Sequence, residues 1–285
     1  MIKLNYTNKE YPERLLKINK RPNEIYVKGN INLLNSFGIA VIGTRCPTSY
    51  GKRMCYRFTK ELVQYGITII SGLAEGIDSI AHKTCLENGG NTIAVLPNGF
   101  NYIYPKENEN LYNNILASNG AVVTEYSINE KAESKKFLER NRIVAGIAAG
   151  TLVIEAGYRS GTSVTARITK EQEKSVFSIP SSLENEKGIT CNLIIQKGAK
   201  LVTCVEDILE EFKNHKFVKK EIQNLDVLID EEFKDLYNVL TYKPQHINDI
   251  AKKLTYDIKE ISYKLMMLEL EEKIIELPGK NFMRK

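Results

Sequence analysis

Residues 39–78 read IAVIGTRCPTSYGKRMCYRFTKELVQYGITIISGLAEGID. Ile39–Ile42 is a short apolar run rich in β-branched residues, and the glycine turn Gly43-Thr44-Arg45 follows it directly. Gly51–Gln64 then reads as a helix and Thr68–Ser71 as a second apolar strand. The stretch Ser71-Gly72-Leu73-Ala74-Glu75-Gly76-Ile77-Asp78 is another glycine-rich turn leading into a helix. Strand, turn, helix and strand at this spacing predict the βαβ unit of a parallel sheet, because parallel neighbours need a crossover of a dozen residues or more. Strands this uniformly apolar are buried on both faces.

The same alternation continues outward. Thr92–Leu96, Ala121–Thr124, Leu152–Ile154, Val176–Ile179 and Lys200–Val202 read as further strands. Ile77–Asn88, Asn108–Ser118 and Ser163–Lys174 read as the helices between them. The predicted class is α/β: an extended Rossmann-like, doubly wound, mostly parallel sheet. Charge thickens after residue 206, and a different pattern begins near 231. Phe233–Leu240, Ile247–Leu254 and Asp257–Leu270 read as three helices. In the third, Ile258, Ile261, Leu265 and Leu268 form one apolar stripe. Lys273–Leu277 and Asn281–Arg284 then read as a hairpin, completing a small C-terminal winged-helix domain. The expected divisions are 1–212 for the Rossmann-like domain, with a short N-terminal extension at 1–36, 213–230 for a linker, and 231–285 for the winged helix.

Composition narrows the function classes. With 42% apolar and 26% charged residues among 285, the chain has ordinary globular composition. The balance of 40 Lys and Arg against 35 Asp and Glu gives +5, which suits nucleic acid without requiring it. No apolar run approaches a membrane span, and charges scattered through the first thirty residues leave no room for a signal-peptide core. Five cysteines without a C-x-x-C pair suit structural thiols in a cytoplasmic protein.

In open parallel sheets, ligands gather at the carboxyl ends of the strands, so the loops there hold the candidate site. Around Gly43-Thr44-Arg45, residues 36–60 carry Arg45, Lys52, Arg53, Arg57 and Lys60 and no acid. That charge serves an anion such as phosphate, with help from backbone amides at a helix start, or it is a solvated helix face. The turn at Gly72 lacks the G-x-G-x-x-G spacing, and no P-loop lysine occurs, so neither a dinucleotide cofactor nor a P-loop site is expected. Asp78 and His82 read either as metal ligands or, far more simply, as a helix-cap carboxylate and a packed histidine. Tyr104-Pro105-Lys106 presents a lysine beside an aromatic. Arg140-Asn141-Arg142, read at a helix start, and the loop Arg159-Ser160-Gly161-Thr162 suit phosphate or sugar contacts. Alternatively, Arg140 or Arg142 pairs with Glu155 to brace the sheet edge.

These motifs, in this order, resemble the DNA-processing protein DprA (Smf) family. The resemblance runs from Tyr11-Pro12 through Val41–Arg45, Ser71–His82, Thr92–Leu96, Tyr104-Pro105, Arg140–Gly146, Glu155-Ala156 and Ser160-Gly161. It ends at Leu268-Glu269-Leu270 and Leu277-Pro278-Gly279. Pro97, Ser181 and Thr162-Ser163 depart from the family pattern, each in a loop near the proposed groove. The resemblance implies a non-catalytic, homodimeric protein that binds single-stranded DNA and loads RecA recombinase onto DNA taken up in natural transformation. It also implies that Arg45 and Lys106 contact the strand.

The resulting expectation is a DNA-binding mediator with no cofactor and no metal. Its strand would lie along Gly43, Thr44, Arg45, Lys52, Gly72, Lys106, Arg140, Asn141, Ser160 and Gly161, with Tyr104, Tyr102 and Phe137 as candidate stacking groups. Two other readings compete. One is a nucleotide phosphoribohydrolase built on Glu155, which lacks a second carboxylate in reach. The other is a ligand-responsive regulator reading duplex DNA with its winged helix. Residues 231–285 hold ten basic and ten acidic residues, whereas a major-groove reader carries a basic face.

Overall fold

The computed structural model describes residues 1–158, 160–219, 230–241, 244–254, 256–271 and 273–284. The chain divides into two compact units, Met1–Lys220 and Glu221–Lys285. Most of the expected linker, 220–229, lies outside the described residues, as does Arg159.

The first unit is built on one sheet. Its strands are β1 (Ile2–Asn5), β2 (Glu24–Gly29), β3 (Gly38–Ile42), β4 (Thr68–Ser71), β5 (Thr92–Val95), β6 (Ala121–Thr124), β7 (Gly150–Val153), β8 (Ser175–Ser178) and β9 (Lys200–Leu201). Among the described residues their order is β1-β2-β6-β5-β4-β3-β7-β8-β9. From β6 to β9 all neighbours are parallel. β2 joins β6 antiparallel and β1 joins β2 antiparallel, so the N-terminal extension contributes two strands to this same sheet. The central strands β3 to β7 are buried along their whole length, as their apolar character requires.

The helices of this unit are α1 (Glu13–Leu16), α2 (Ser49–Gln64), α3 (Ile77–Glu87), α4 (Glu109–Ala117), α5 (Ser134–Ile147), α6 (Gly161–Glu171), α7 (Ile189–Gln196) and α8 (Glu206–Leu209). Each predicted helix is present within a few residues of its expected bounds. The helix α5 differs: Arg140, Asn141 and Arg142 lie well inside it rather than at its start. No helix among the described residues is long and apolar enough to cross a membrane.

The second unit contains α9 (Glu231–Val239), α10 (Ile247–Ala251) and α11 (Ile258–Leu270), with a three-stranded antiparallel sheet of β10 (Gln245–His246), β11 (Ile274–Leu277) and β12 (Asn281–Arg284). Asp257 starts α11 by accepting a hydrogen bond from the Glu260 amide at 2.8 Å. Ile261, Leu265 and Leu268 pack with Phe233, Leu236 and Phe282 in a core of their own. Ile258, expected on the same stripe, is 54% exposed. It is the first residue of the helix, before the packed turns begin.

Candidate nucleic-acid interface

The sheet changes its winding direction between β3 and β7, the place where doubly wound sheets open a crevice. Glu155, in the loop after β7, fills that place and is 1% exposed. Its carboxylate accepts from the Thr48 amide at 2.8 Å, the Thr48 hydroxyl at 2.7 Å and the Asn185 side-chain amide at 2.9 Å. Its backbone carbonyl accepts from the Thr44 amide at 2.7 Å. A β-carbon at Gly51 would strike the same carboxylate, so glycine is required there.

Two expectations change as a result. The positive end of α2 is already faced by a buried carboxylate, which meets the helix dipole from inside the protein. The Thr44 amide, expected to hold phosphate, is used to join the loops after β3 and β7. Gly43 is equally enclosed, because a β-carbon there would meet Ile77 and the Glu155 carbonyl. Gly43 and Thr44 therefore shape the turn, and the groups left for a ligand are side chains.

Arg140 is a further correction. Only 4% exposed, it donates through Nη1 to the carbonyls of Gly72 and Val95, both at 2.5 Å. These carbonyls follow β4 and end β5, so the guanidinium ties two strand ends together. Asp78 neighbours it and accepts from the Gly72 amide at 3.1 Å. Burial raises the Asp78 carboxyl above its ordinary value, and the Arg140 charge opposes that shift. Gly72, with its amide and carbonyl both engaged inside, is part of this packing rather than of a surface groove.

His82 lies nearby, wholly buried, its pKa pushed down to about 3 by burial and then by Arg140. The Thr92 hydroxyl donates to the Ile69 carbonyl at 2.8 Å and so accepts from His82 Nδ1 at 2.6 Å. That fixes a neutral imidazole with its proton on Nδ1. Among the described residues no three His, Cys, Asp or Glu side chains gather as a metal site. Arg142 pairs with Glu125, not with Glu155. The Asn141 side chain donates to the Gly161 carbonyl at 3.5 Å, and Ser160 caps α6, so these three residues form a separate group at the loop after β7.

What faces solvent is a cationic and aromatic cluster. The exposed Arg45 places its guanidinium carbon 5.2 Å from the ring centre of Phe137, on α5. Tyr104, 46% exposed, meets Phe137 edge to face at 5.3 Å, and the exposed Lys106 follows two residues later. Arg45 also borders a depression of about 390 Å³ with Cys46, Pro47, Lys52, Gly76, Ser79, Ile80 and Lys187. Three cations and no carboxylate line it. Gly76, at φ +77°, lets the two glycine-rich turns touch, since any β-carbon there would collide with the Arg45 backbone. Lys187 carries no sequence signal, being an isolated lysine in a polar loop. Lys131, 5.6 Å from the Tyr102 ring centre, was equally unmarked.

Residues 3–213 match the family of DNA recombination-mediator protein A. The chain belongs to that family. Residues 228–280 match the DprA winged helix domain. Protein Smf of Escherichia coli (strain K12) is 34% identical over 279 residues, covering 94% of this chain and 74% of that protein. DNA processing protein DprA of Streptococcus pneumoniae is 39% identical over 203 residues, 71% of each chain. The X-ray structure of the Streptococcus pneumoniae protein superposes with a TM-score of 0.71 at 37% identity, over 74% of each chain. A DprA structure from Helicobacter pylori, described for its single-stranded DNA binding mode, superposes with a TM-score of 0.67 at 29% identity. It covers 75% of this chain and 97% of that one. The Rossmann-like sheet and the winged helix expected of a DprA-family chain are thus both present.

Proposed function

We propose that this chain is a non-catalytic mediator of recombination that binds single-stranded DNA, protects it during natural transformation and loads RecA recombinase onto it, working as a cytoplasmic homodimer. The observation that carries the reading is the Arg45–Phe137–Tyr104 cluster beside Lys52, Lys106 and Lys187. Exposed aromatic rings accept bases of any sequence by stacking, and cations around them neutralise phosphates. Such contacts fix a strand without reading it.

The hydrolase reading asks Glu155 to act as a free carboxylate. Its two oxygens hold Thr48 and Asn185 and are closed to solvent, which favours the binding reading. The test is fluorescence anisotropy with labelled single-stranded and duplex oligonucleotides. Arg45→Glu should weaken single-strand binding at least about tenfold, while Lys253→Glu on the winged-helix unit changes it less than about twofold. Equal losses from the two, or a preference of the parent chain for duplex, would overturn the proposal.

A further inference from the structure

Between β6 and the end of the first turn of α5 lie Lys131, Lys135 and Lys136. Lys135 pairs with Glu139 at 3.3 Å, and Lys136 pairs with Glu130 and Glu133 at 3.3 and 3.0 Å. Among the described residues no carboxylate pairs with Lys131; its Nζ lies 5.6 Å from the Tyr102 ring centre, and both side chains are exposed. Tyr102 belongs to the loop after β5, and that loop is fastened to the one carrying Lys131. The Gly99 amide donates to the Glu130 carbonyl at 2.8 Å, and the Asn101 amide to the Ile128 carbonyl at 3.0 Å. The Asn101 side-chain amide donates to Asn129 Oδ1 at 2.6 Å. A β-carbon at Gly99 would strike the Ser127 carbonyl, so the loops meet backbone to backbone. Beneath them the wholly buried Asn98 donates through Nδ2 to the carbonyls of Gly99 and Tyr102, at 2.9 and 2.5 Å. A ring on so fixed a backbone meets a ligand with little further loss of entropy.

We infer that Tyr102 and Lys131 form a second platform for single-stranded DNA, on which the strand continues past Tyr104 toward the β6 side of the sheet; the inference rests on the strand-binding reading proposed above. The order of the sheet carries it. Lys187 follows β8, Arg45 follows β3, Tyr104 follows β5 and Lys131 follows β6, so cations and rings line the carboxyl edge in strand order. The Arg45–Phe137–Tyr104 cluster spans only β3 to β5, about 10 Å, the length of roughly three stacked nucleotides. From β8 to β6 the edge is about 24 Å wide, room for roughly seven. A strand leaving the cluster past Tyr104 meets Tyr102, whose ring offers a face to a further base. Lys131 then meets the neighbouring phosphate, and it breaks no ion pair in doing so.

The test compares oligothymidylates of four and twelve nucleotides on the full chain at low salt, with circular dichroism to verify folding. The labelled twelve-mer is read by anisotropy and the four-mer as its competitor, so that weak binding is still measured. Tyr102→Ala should weaken the twelve-mer about tenfold and Tyr102→Phe leave it unchanged, with the four-mer altered less than about twofold by either. Lys131→Gln should lower the twelve-mer's slope of log K against log salt by about 0.7. A twelve-mer indifferent to Tyr102→Ala and Lys131→Gln, yet weakened by Arg45→Glu, would sink this platform and leave strand binding standing. Equal losses on both lengths would mean that the loop only supports Tyr104, and would overturn the inference. No binding of either oligomer by the parent chain would sink both readings.

Discussion

Gly72 and Arg140 fit each other so closely that a β-carbon at position 72 would lie inside the guanidinium group. Arg140 in turn holds the Gly72 carbonyl and shares its burial with Asp78. Gly72→Ala should therefore expel or tilt a buried cation, costing about 3 kcal/mol in chemical denaturation. Arg140→Met, which strands the Asp78 charge, should cost about 3–5 kcal/mol. Normal stability with lost DNA binding in either variant would show that Arg140 works at the surface after all.

Phe137 bridges the Arg45 guanidinium and the Tyr104 ring. Removing the bridge with Phe137→Ala should weaken single-strand binding by about 1–3 kcal/mol, the worth of one stacked base. Because the three side chains touch in one chain, Phe137→Ala combined with Tyr104→Ala should cost less than the sum of the singles. Strict additivity in anisotropy titrations would mean that the two rings serve separate bases.

Lys52 and Lys187 face the same depression from α2 and from the loop after β8. If each neutralises one phosphate, Lys52→Gln and Lys187→Gln should each reduce the slope of log K against log salt by about 0.7. Lys83→Gln should leave the slope alone, because Lys83 extends from α3 toward Glu87. A slope unchanged by Lys187→Gln would remove that residue from the strand's path.

Lys174 donates to the carbonyls of Ala145 and Gly146 at the end of α5, at 2.8 and 2.6 Å. Burial, assisted by the Arg14 charge, pushes its pKa down from 10.5 to about 7. Between those values the unfolded chain carries a proton that the folded chain does not. This residue's contribution to stability therefore rises from about pH 7 to about pH 10, by at most about 1.4 kcal/mol per pH unit. The stability difference between the parent chain and Lys174→Met should grow across that range in urea titrations. A constant difference would mean that Lys174 stays charged when folded.

The parallel strands β3 to β8 were legible because short, largely apolar, β-branched runs alternate with helix-length segments. β1 and β2 were not, since IKLN and EIYVKG mix charge with apolar residues, as outer strands do. The helix α5 was hidden by Arg140, an inward-facing cation that breaks the amphipathic pattern. Its partners lie on β5 and after β4, so nothing local to Arg140-Asn141-Arg142 shows that one arginine is buried and the next paired with Glu125. Arg45 and Lys52 stood out because no acid accompanies them. Their companionship with Phe137 and Lys187 exists only in three dimensions.

β3 and β7 lie side by side, with Ile39 opposite Gly150, although more than a hundred residues separate them. On a ribosome, the turn carrying Arg45 emerges long before the glutamate that anchors it. Until Glu155 has been synthesised, the cationic loop has only its contact with the turn at Gly76 and Ile77. Late closure of the sheet thus couples completion of the Rossmann-like unit to the moment its cationic surface takes shape, and a nascent chain halted before residue 155 would expose the basic turn without its Glu155 anchor.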